Sequence, residues 1–119
     1  MLTVYCDQLP KSYLLILASE RQATDPRALA RALHRAGRSG KTSVWVDCSL
    51  LALADATPDT GLLLRTYHEA FAAQGIEMVV AHASTELRQC LVGSRSKPGP
   101  ALVDSLVDAS NFKLLPALE

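Results

Sequence analysis

The sequence has few aromatic residues and no excess of charge of either sign. Phe, Trp and Tyr make up only 5% of 119 residues, whereas the apolar fraction is 49%, so we expect a core of aliphatic side chains. Twelve basic residues balance twelve acidic ones. This balance removes the positive surface that most nucleic-acid-binding and membrane-surface proteins display. A protein or small-molecule partner is therefore favoured over nucleic acid.

Long apolar runs and cysteine motifs are also missing. No run approaches the roughly 18 apolar residues that a membrane span needs, and Asp7 and Lys11 interrupt the stretch where a signal peptide would be apolar. Cys6, Cys48 and Cys90 are too far apart to indicate a disulfide framework or a zinc site. We therefore expect a cytoplasmic protein without membrane insertion, in which all three cysteines are small buried apolar residues.

Motifs of catalytic, phosphate-binding and metal-binding sites are absent as well. Gly40, Lys41 and Thr42 match the end of a phosphate-binding loop. However, Arg35 stands where that loop needs a glycine, and a helix precedes the segment where a strand is required. The three histidines are isolated on separate elements, without the spacing of metal ligands. These absences favour a protein that is not an enzyme and uses no cofactor.

The sequence does contain alternating strand and helix patterns, which we assign to one domain, residues 1–119. Five short runs have the apolar or β-branched character of strands. They are Leu2–Cys6, Tyr13–Ala18, Thr42–Ser49, Ile76–His82 and the start of Ala101–Phe112. Helical patterns cover Asp25–Gly37, Pro58–Gly75, Thr85–Val92 and the end of Ala101–Phe112. Helices of this length between strands require parallel neighbours, so the order predicts an α/β sheet with an additional N-terminal strand.

The three longer helices have apolar stripes and marked ends. Asp25 is the predicted N-cap of the first helix, and Gly37 its C-cap. The expected core-facing residues are Leu29, Ala32, Leu33 and Ala36 in the first helix, Leu63, Tyr67, Ala70 and Phe71 in the second, and Leu87 and Leu91 in the third. The third helix is capped by Ser84 or Thr85. Four arginines, Arg27, Arg31, Arg35 and Arg38, follow another face of the first helix, and we favour a solvated surface over a docking surface for them.

The most specific pattern lies between Asp47 and Tyr67. There "VWVDCS" is followed by "DATP" at Asp55–Pro58 and then by "LLLRTY". This run resembles the STAS domain, the family of anti-sigma factor antagonists, whose typical pattern is a "VDLS" strand, a "DSSG" turn and a "LLLxxY" helix. The resemblance covers roughly Lys11 to Phe112. It implies a mixed sheet of four to five strands with helices mainly on one face.

The same resemblance implies a non-enzymatic signalling module that docks a protein partner. In the family this partner is an anti-sigma factor kinase, or the ATPase of a lipid-transport ABC system, and a homodimer is also compatible. The implied docking segment is the Asp55–Leu62 turn and its helix, with contacts from Asp55, Ala56, Thr57, Pro58, Asp59, Gly61 and Leu62. Phosphorylated members carry the phosphate on the second hydroxyl of "DSSG", which is Thr57 here. The preceding serine is replaced by Ala56, and the glycine by Pro58.

Thr57 is open to two interpretations. As an N-cap it accepts a hydrogen bond from an amide of the first turn, which contributes about 1 kcal/mol, and Pro58 suits the first helical position. A phosphate is also stabilised at a helix N-terminus. Pro58, however, removes one donor and stiffens the turn, and Asp55 and Asp59 add like charge. We favour a cap over a phosphorylated switch.

The alternative from another class of function is a small enzyme or ligand-binding domain of flavodoxin-like type, which would use loops at the carboxyl ends of its strands.

Overall fold

A computed structural model of the chain describes residues 2–21, 25–93 and 96–104. In these residues five strands form one sheet in chain order. They are β1 (Leu2–Gln8), β2 (Ser12–Ser19), β3 (Ser43–Leu50), β4 (Glu77–Ala81) and β5 (Ala101–Val103). β1 is antiparallel to β2, and all other neighbours are parallel. The predicted α/β fold with a mixed sheet and an additional N-terminal strand is confirmed.

Each pair of consecutive parallel strands is connected by one helix. The helices are α1 (Ala28–Gly37), α2 (Pro58–Ala73) and α3 (Thr85–Leu91). None of these described helices is long and apolar enough to cross a membrane. The last short helix that the sequence predicts after β5 lies outside the described residues.

All three helices pack on the same face of the sheet. Alternate residues of the central strands point to this face, as the two-residue period of a strand requires. These buried strand residues are Tyr13, Leu15, Leu17, Val44, Val46, Cys48, Met78 and Val80. The helices contribute Leu29, Ala32, Leu33, Ala36, Leu64, Phe71, Leu87 and Leu91 to the same core. For the three described helices, the arrangement confirms packing on one face of the sheet and the stripes predicted for the first and third helices.

The predicted stripe of α2 is partly wrong. Leu63 and Tyr67 are half-buried and Phe71 is buried, but Ala70 is exposed, and Leu64, which the stripe did not include, is fully buried. The helix contacts both the sheet and α3, so its buried arc is wider than one stripe and is rotated toward Leu64.

Both predicted ends of the first helix also need correction. The helix begins at Ala28, because Asp25 closes a turn in front of it: its carboxylate accepts the N–H of Arg27 at 2.9 Å, and its carbonyl oxygen accepts the N–H of Ala28 at 3.3 Å. Gly37 is the last helical residue rather than a left-handed cap. Its missing side chain has a packing reason, since a Cβ there would lie 2.8 Å from Cε1 of Phe71.

Only one of the three cysteines is buried as expected. Cys48 lies in the core, whereas Cys6 is exposed and Cys90 is half-buried. The expectation fails for Cys6 because β1 has a hydrogen-bonded neighbour on one side only in the described sheet, and its residues from Tyr5 to Gln8 are exposed. Cys90 lies where α3 meets Gly61 of α2.

Candidate functional site

The connection between β3 and α2 is anchored at its start to the sheet. The N–H of Ala52 donates to Oγ of Ser19, at the end of β2, over 2.8 Å. The N–H groups of Asp55 and Ala56 then return to the carbonyl oxygen of Ala52 at 3.0 and 3.1 Å. These bonds hold the turn at the carboxyl ends of the parallel strands, and α2 starts from there.

Thr57 is the N-cap of α2, as the sequence predicts. Its backbone is extended, and its Oγ1 accepts the N–H of Thr60 at 3.2 Å. Pro58 occupies the first helical position, where its missing N–H leaves no bond unmade. The carbonyl oxygen of Thr57 accepts the N–H of Gly61 at 3.1 Å and so begins the helical hydrogen bonding.

Thr60 completes this cap, and the sequence reasoning missed it. Its hydroxyl donates to the carbonyl oxygen of Asp55 at 3.0 Å and lies 3.2 Å from the hydroxyl of Thr57. Because the single proton of Thr60 is used on Asp55, Thr57 is the donor of the bond between the two hydroxyls. The hydroxyl of Thr57 therefore both accepts and donates within its own turn. The spacing between Thr57 and Thr60 could have indicated this role, because Thr60 stands where a capping box places its second polar residue.

The predicted docking residues divide into three groups by exposure. Pro58, Asp59 and Leu62 are exposed, whereas Asp55, Ala56 and Thr57 are half-buried. Gly61 is buried, and a Cβ at this position would lie 2.5 Å from Cβ of Cys90. The first six residues thus belong to a surface that a partner can reach. Gly61 instead allows α3 to approach α2 closely.

Three leucines around this turn are exposed. The exposed fractions are 61% for Leu50, 66% for Leu53 and 64% for Leu62. The three leucines lie at the end of β3, in the connection that follows it and in the first part of α2. A single exposed leucine needs no explanation, but a contiguous exposed apolar patch is typical of contact surfaces. Only Leu62 was among the predicted docking residues. Leu50 and Leu53 were missed because an apolar residue after a strand is equally compatible with the core.

The end of β3 beside the turn carries three polar side chains, those of Asp47, Cys48 and Ser49. The carboxylate of Asp47 accepts the N–H and the O–H of Ser49 at 3.1 and 3.0 Å, so these two residues bind each other. Burial raises the pKa of the Cys48 thiol to about 12, and the negative charge of Asp47 acts in the same direction. The thiol is therefore protonated at neutral pH. Among the described residues, no group of three His, Cys, Asp or Glu side chains is arranged to hold a metal ion.

No protein-family model, curated protein or solved structure matches this chain. Its function is therefore inferred from the geometry of the Thr57 turn and from the sequence pattern in which the turn lies.

Proposed function

We propose that the protein is a non-enzymatic binding module of the STAS type that docks a partner protein. We call its contact area the leucine surface, which consists of Leu50, Leu53, Pro58, Asp59 and Leu62. The observation that carries the proposal is the exposure of the three leucines, between 61% and 66%. The hydrogen-bonded turn keeps these apolar side chains exposed to water, so a partner that covers them gains binding free energy.

The layout of the chain supports the STAS interpretation. The strands follow one another in chain order, and the helices lie on one face of the sheet. In a doubly wound sheet the strand order reverses, and the reversal creates the crevice in which flavodoxin-like proteins bind ligands. The described sheet has no such reversal, which makes the small-molecule alternative less favourable. In the family pattern, the partner is an anti-sigma factor kinase or the ATPase of a lipid transporter.

Docking in this proposal does not depend on phosphorylation of Thr57. The hydroxyl already accepts from the N–H of Thr60 and donates to its side chain. A phosphate would remove the donated bond and place about two negative charges close to Asp55 and Asp59. In this proposal the turn therefore keeps one conformation, in which Thr57 is a structural cap and not a phosphorylation switch.

The proposal is tested by placing a charge on the leucine surface. Leu53→Asp and Leu62→Asp should each weaken binding of the partner at least about tenfold, because a carboxylate would lose its water in the interface. Val92→Asp is the matched control: Val92 is 62% exposed and is the C-cap of α3, so it lies on a different element from the turn and outside the leucine surface. Binding is measured by titration calorimetry on variants with unchanged melting temperatures. Equal losses for all three variants, or none for either leucine, would refute docking at this surface.

A further inference from the structure

A groove continues from the Thr57 turn along α1. Its first part is a cavity of about 290 Å³ between the N-terminal ends of α1 and α2, and its second part, about 620 Å³, follows α1. Asp25 and Ala28 line both cavities, so the two adjoin. Asp55, Thr57 and Asp59 line the first cavity. The α1–α2 groove, as we call these two cavities, therefore begins at the Thr57 turn and shares Asp59 with the leucine surface.

The floor of the α1–α2 groove is apolar. Leu2 and Leu63 line the first cavity, and Val4 and Tyr67 line the second. All four residues are half-buried and pack on the main core. Such a floor provides affinity for apolar side chains, because binding removes their surface and its own from water.

The two ends of the groove carry opposite charge. Asp55 and Asp59 line the end at the Thr57 turn, whereas Asp25 lines both cavities. The second cavity is lined by basic side chains, which are those of Arg27, Arg31 and Arg35 together with His34. Where the cavities meet, Arg31 and Asp25 form an ion pair at 3.3 Å, with side chains 67% and 42% exposed. Ion pairs this exposed contribute little to stability, so a partner can exchange them at small cost.

The charge distribution selects one class of occupant. A nucleic acid or an anionic membrane would be attracted to the arginines of α1 but repelled by the aspartates at the other end. A peptide segment with side chains of both signs satisfies both ends. Resting on the docking function proposed above, we propose that the α1–α2 groove binds a segment of the partner protein with basic residues at one end, apolar residues in the middle and acidic residues at the other. The basic end of the bound segment lies at Asp55 and Asp59, and its acidic end lies along the arginines of α1.

The direct test uses three labelled synthetic peptides as probes. All share the same apolar centre, and they differ only in their ends: one basic and one acidic, both basic, or both acidic. Fluorescence anisotropy with the full chain at low salt should give at least about tenfold tighter binding for the mixed peptide. The preference should shrink as salt is raised, because these charges are exposed. Equal affinity for the three peptides, or binding of none, would overturn the proposal.

Variants of the chain show whether the peptide occupies the groove. Asp59→Lys makes the acidic end of the groove more basic. The variant should therefore shift its binding preference toward the peptide with two acidic ends. Ala28→Trp places a large side chain where the cavities meet and should reduce binding of all three. Glu86→Lys, an exposed change on α3 outside the groove, should alter nothing. A preference for the mixed peptide that Asp59→Lys and Ala28→Trp both leave unchanged would show that binding occurs elsewhere and would contradict the proposal.

The same measurements separate the groove from the leucine surface. Leu53→Asp should weaken docking of the whole partner at least about tenfold and should not weaken binding of the mixed peptide, because Leu53 does not line either cavity. If Leu53→Asp weakens the partner but no peptide binds, the groove proposal fails alone. If the mixed peptide binds but Leu53→Asp and Leu62→Asp leave the partner bound, the leucine surface fails instead.

Discussion

At the scale of single residues, Thr57 shows how one side chain fixes the site. Its hydroxyl is hydrogen-bonded to the N–H and to the side chain of Thr60, and Thr60 is bonded in turn to Asp55. The cap could be predicted from Thr57 and Pro58, because capping depends on residues next to each other in sequence. The part played by Thr60 depends on which hydroxyl donates, and only the folded turn specifies this.

Removing the hydroxyl of Thr57 separates a cap from a switch. Thr57→Ala should lower the free energy of unfolding by about 1 kcal/mol, whereas Thr57→Asp keeps a capping oxygen and should cost less. Both variants should still bind the partner. Urea unfolding and calorimetric titration of the two variants measure these effects. Retained binding by Thr57→Ala with abolished binding by Thr57→Asp would instead identify a phosphorylation switch.

Gly61 provides a second prediction at this scale. In an exposed helix, Gly→Ala stabilises by roughly 1 kcal/mol, but here the new Cβ would lie 2.5 Å from Cβ of Cys90. Gly61→Ala should therefore destabilise the protein, by about 1 to 3 kcal/mol. Cys90→Gly should lower the free energy of unfolding less in the Gly61→Ala variant than in the wild type, because it removes the clash. Additive losses in thermal unfolding would show that the two positions do not touch.

The buried thiol of Cys48 makes the free energy of unfolding depend on pH, and the direction of this dependence follows from its raised pKa. Its pKa is raised from 9.0 to about 12 in the folded protein, chiefly by burial. The unfolded chain therefore loses this proton first, so the stability linked to the thiol is complete below pH 9 and is lost as the pH rises toward 12. The difference in unfolding free energy between the wild type and Cys48→Ala should shrink over this range. A difference that stays constant or grows would contradict the burial of the thiol.

At the scale of helices and strands, local signals were predictable and distant contacts were not. Gly75 follows the end of α2, as predicted, and has a left-handed φ of 76°. Its N–H donates to the carbonyl oxygen of Ala72, and the N–H of Ile76 donates to the carbonyl oxygen of Phe71. This end depends on neighbouring residues alone. Gly37 looked like the same signal, but its role is to make room for Phe71, which belongs to another helix. The sequence around Gly37 contains no trace of that contact.

The orientation of α2 yields a prediction for its three consecutive leucines. Leu64 is fully buried, whereas Leu62 is 64% exposed. Leu64→Ala should lower the free energy of unfolding by about 2 to 5 kcal/mol, because a cavity remains in the core. Leu62→Ala is the matched control and should stay within about 0.5 kcal/mol of the wild type. Similar losses for both, measured in urea, would mean that the helix is rotated differently.

At the scale of the whole molecule, the sequence pattern is sufficient to locate the candidate turn but not the surfaces around it. The "DATP" turn could be found because its pattern is continuous, and it lies at the start of α2 as expected. The exposed Leu50 and Leu53 were not found, because hydrophobicity alone does not distinguish a core residue from a contact residue. The α1–α2 groove brings together β1, α1 and α2, which are distant in sequence. Its opposite charges exist only once the sheet has placed these elements side by side.

Docking through the leucine surface is tested most directly by site-specific photo-crosslinking in the cells that make the protein. A photoreactive amino acid is placed at Leu62, at the start of α2, or at Ala72, an exposed position near the end of the same helix. The Leu62 position should give one discrete covalent adduct with another protein, and Leu53→Asp in the same chain should remove it. The Ala72 position should give no such adduct. Crosslinks that are equal at both positions, or that persist with Leu53→Asp, would contradict docking through this surface.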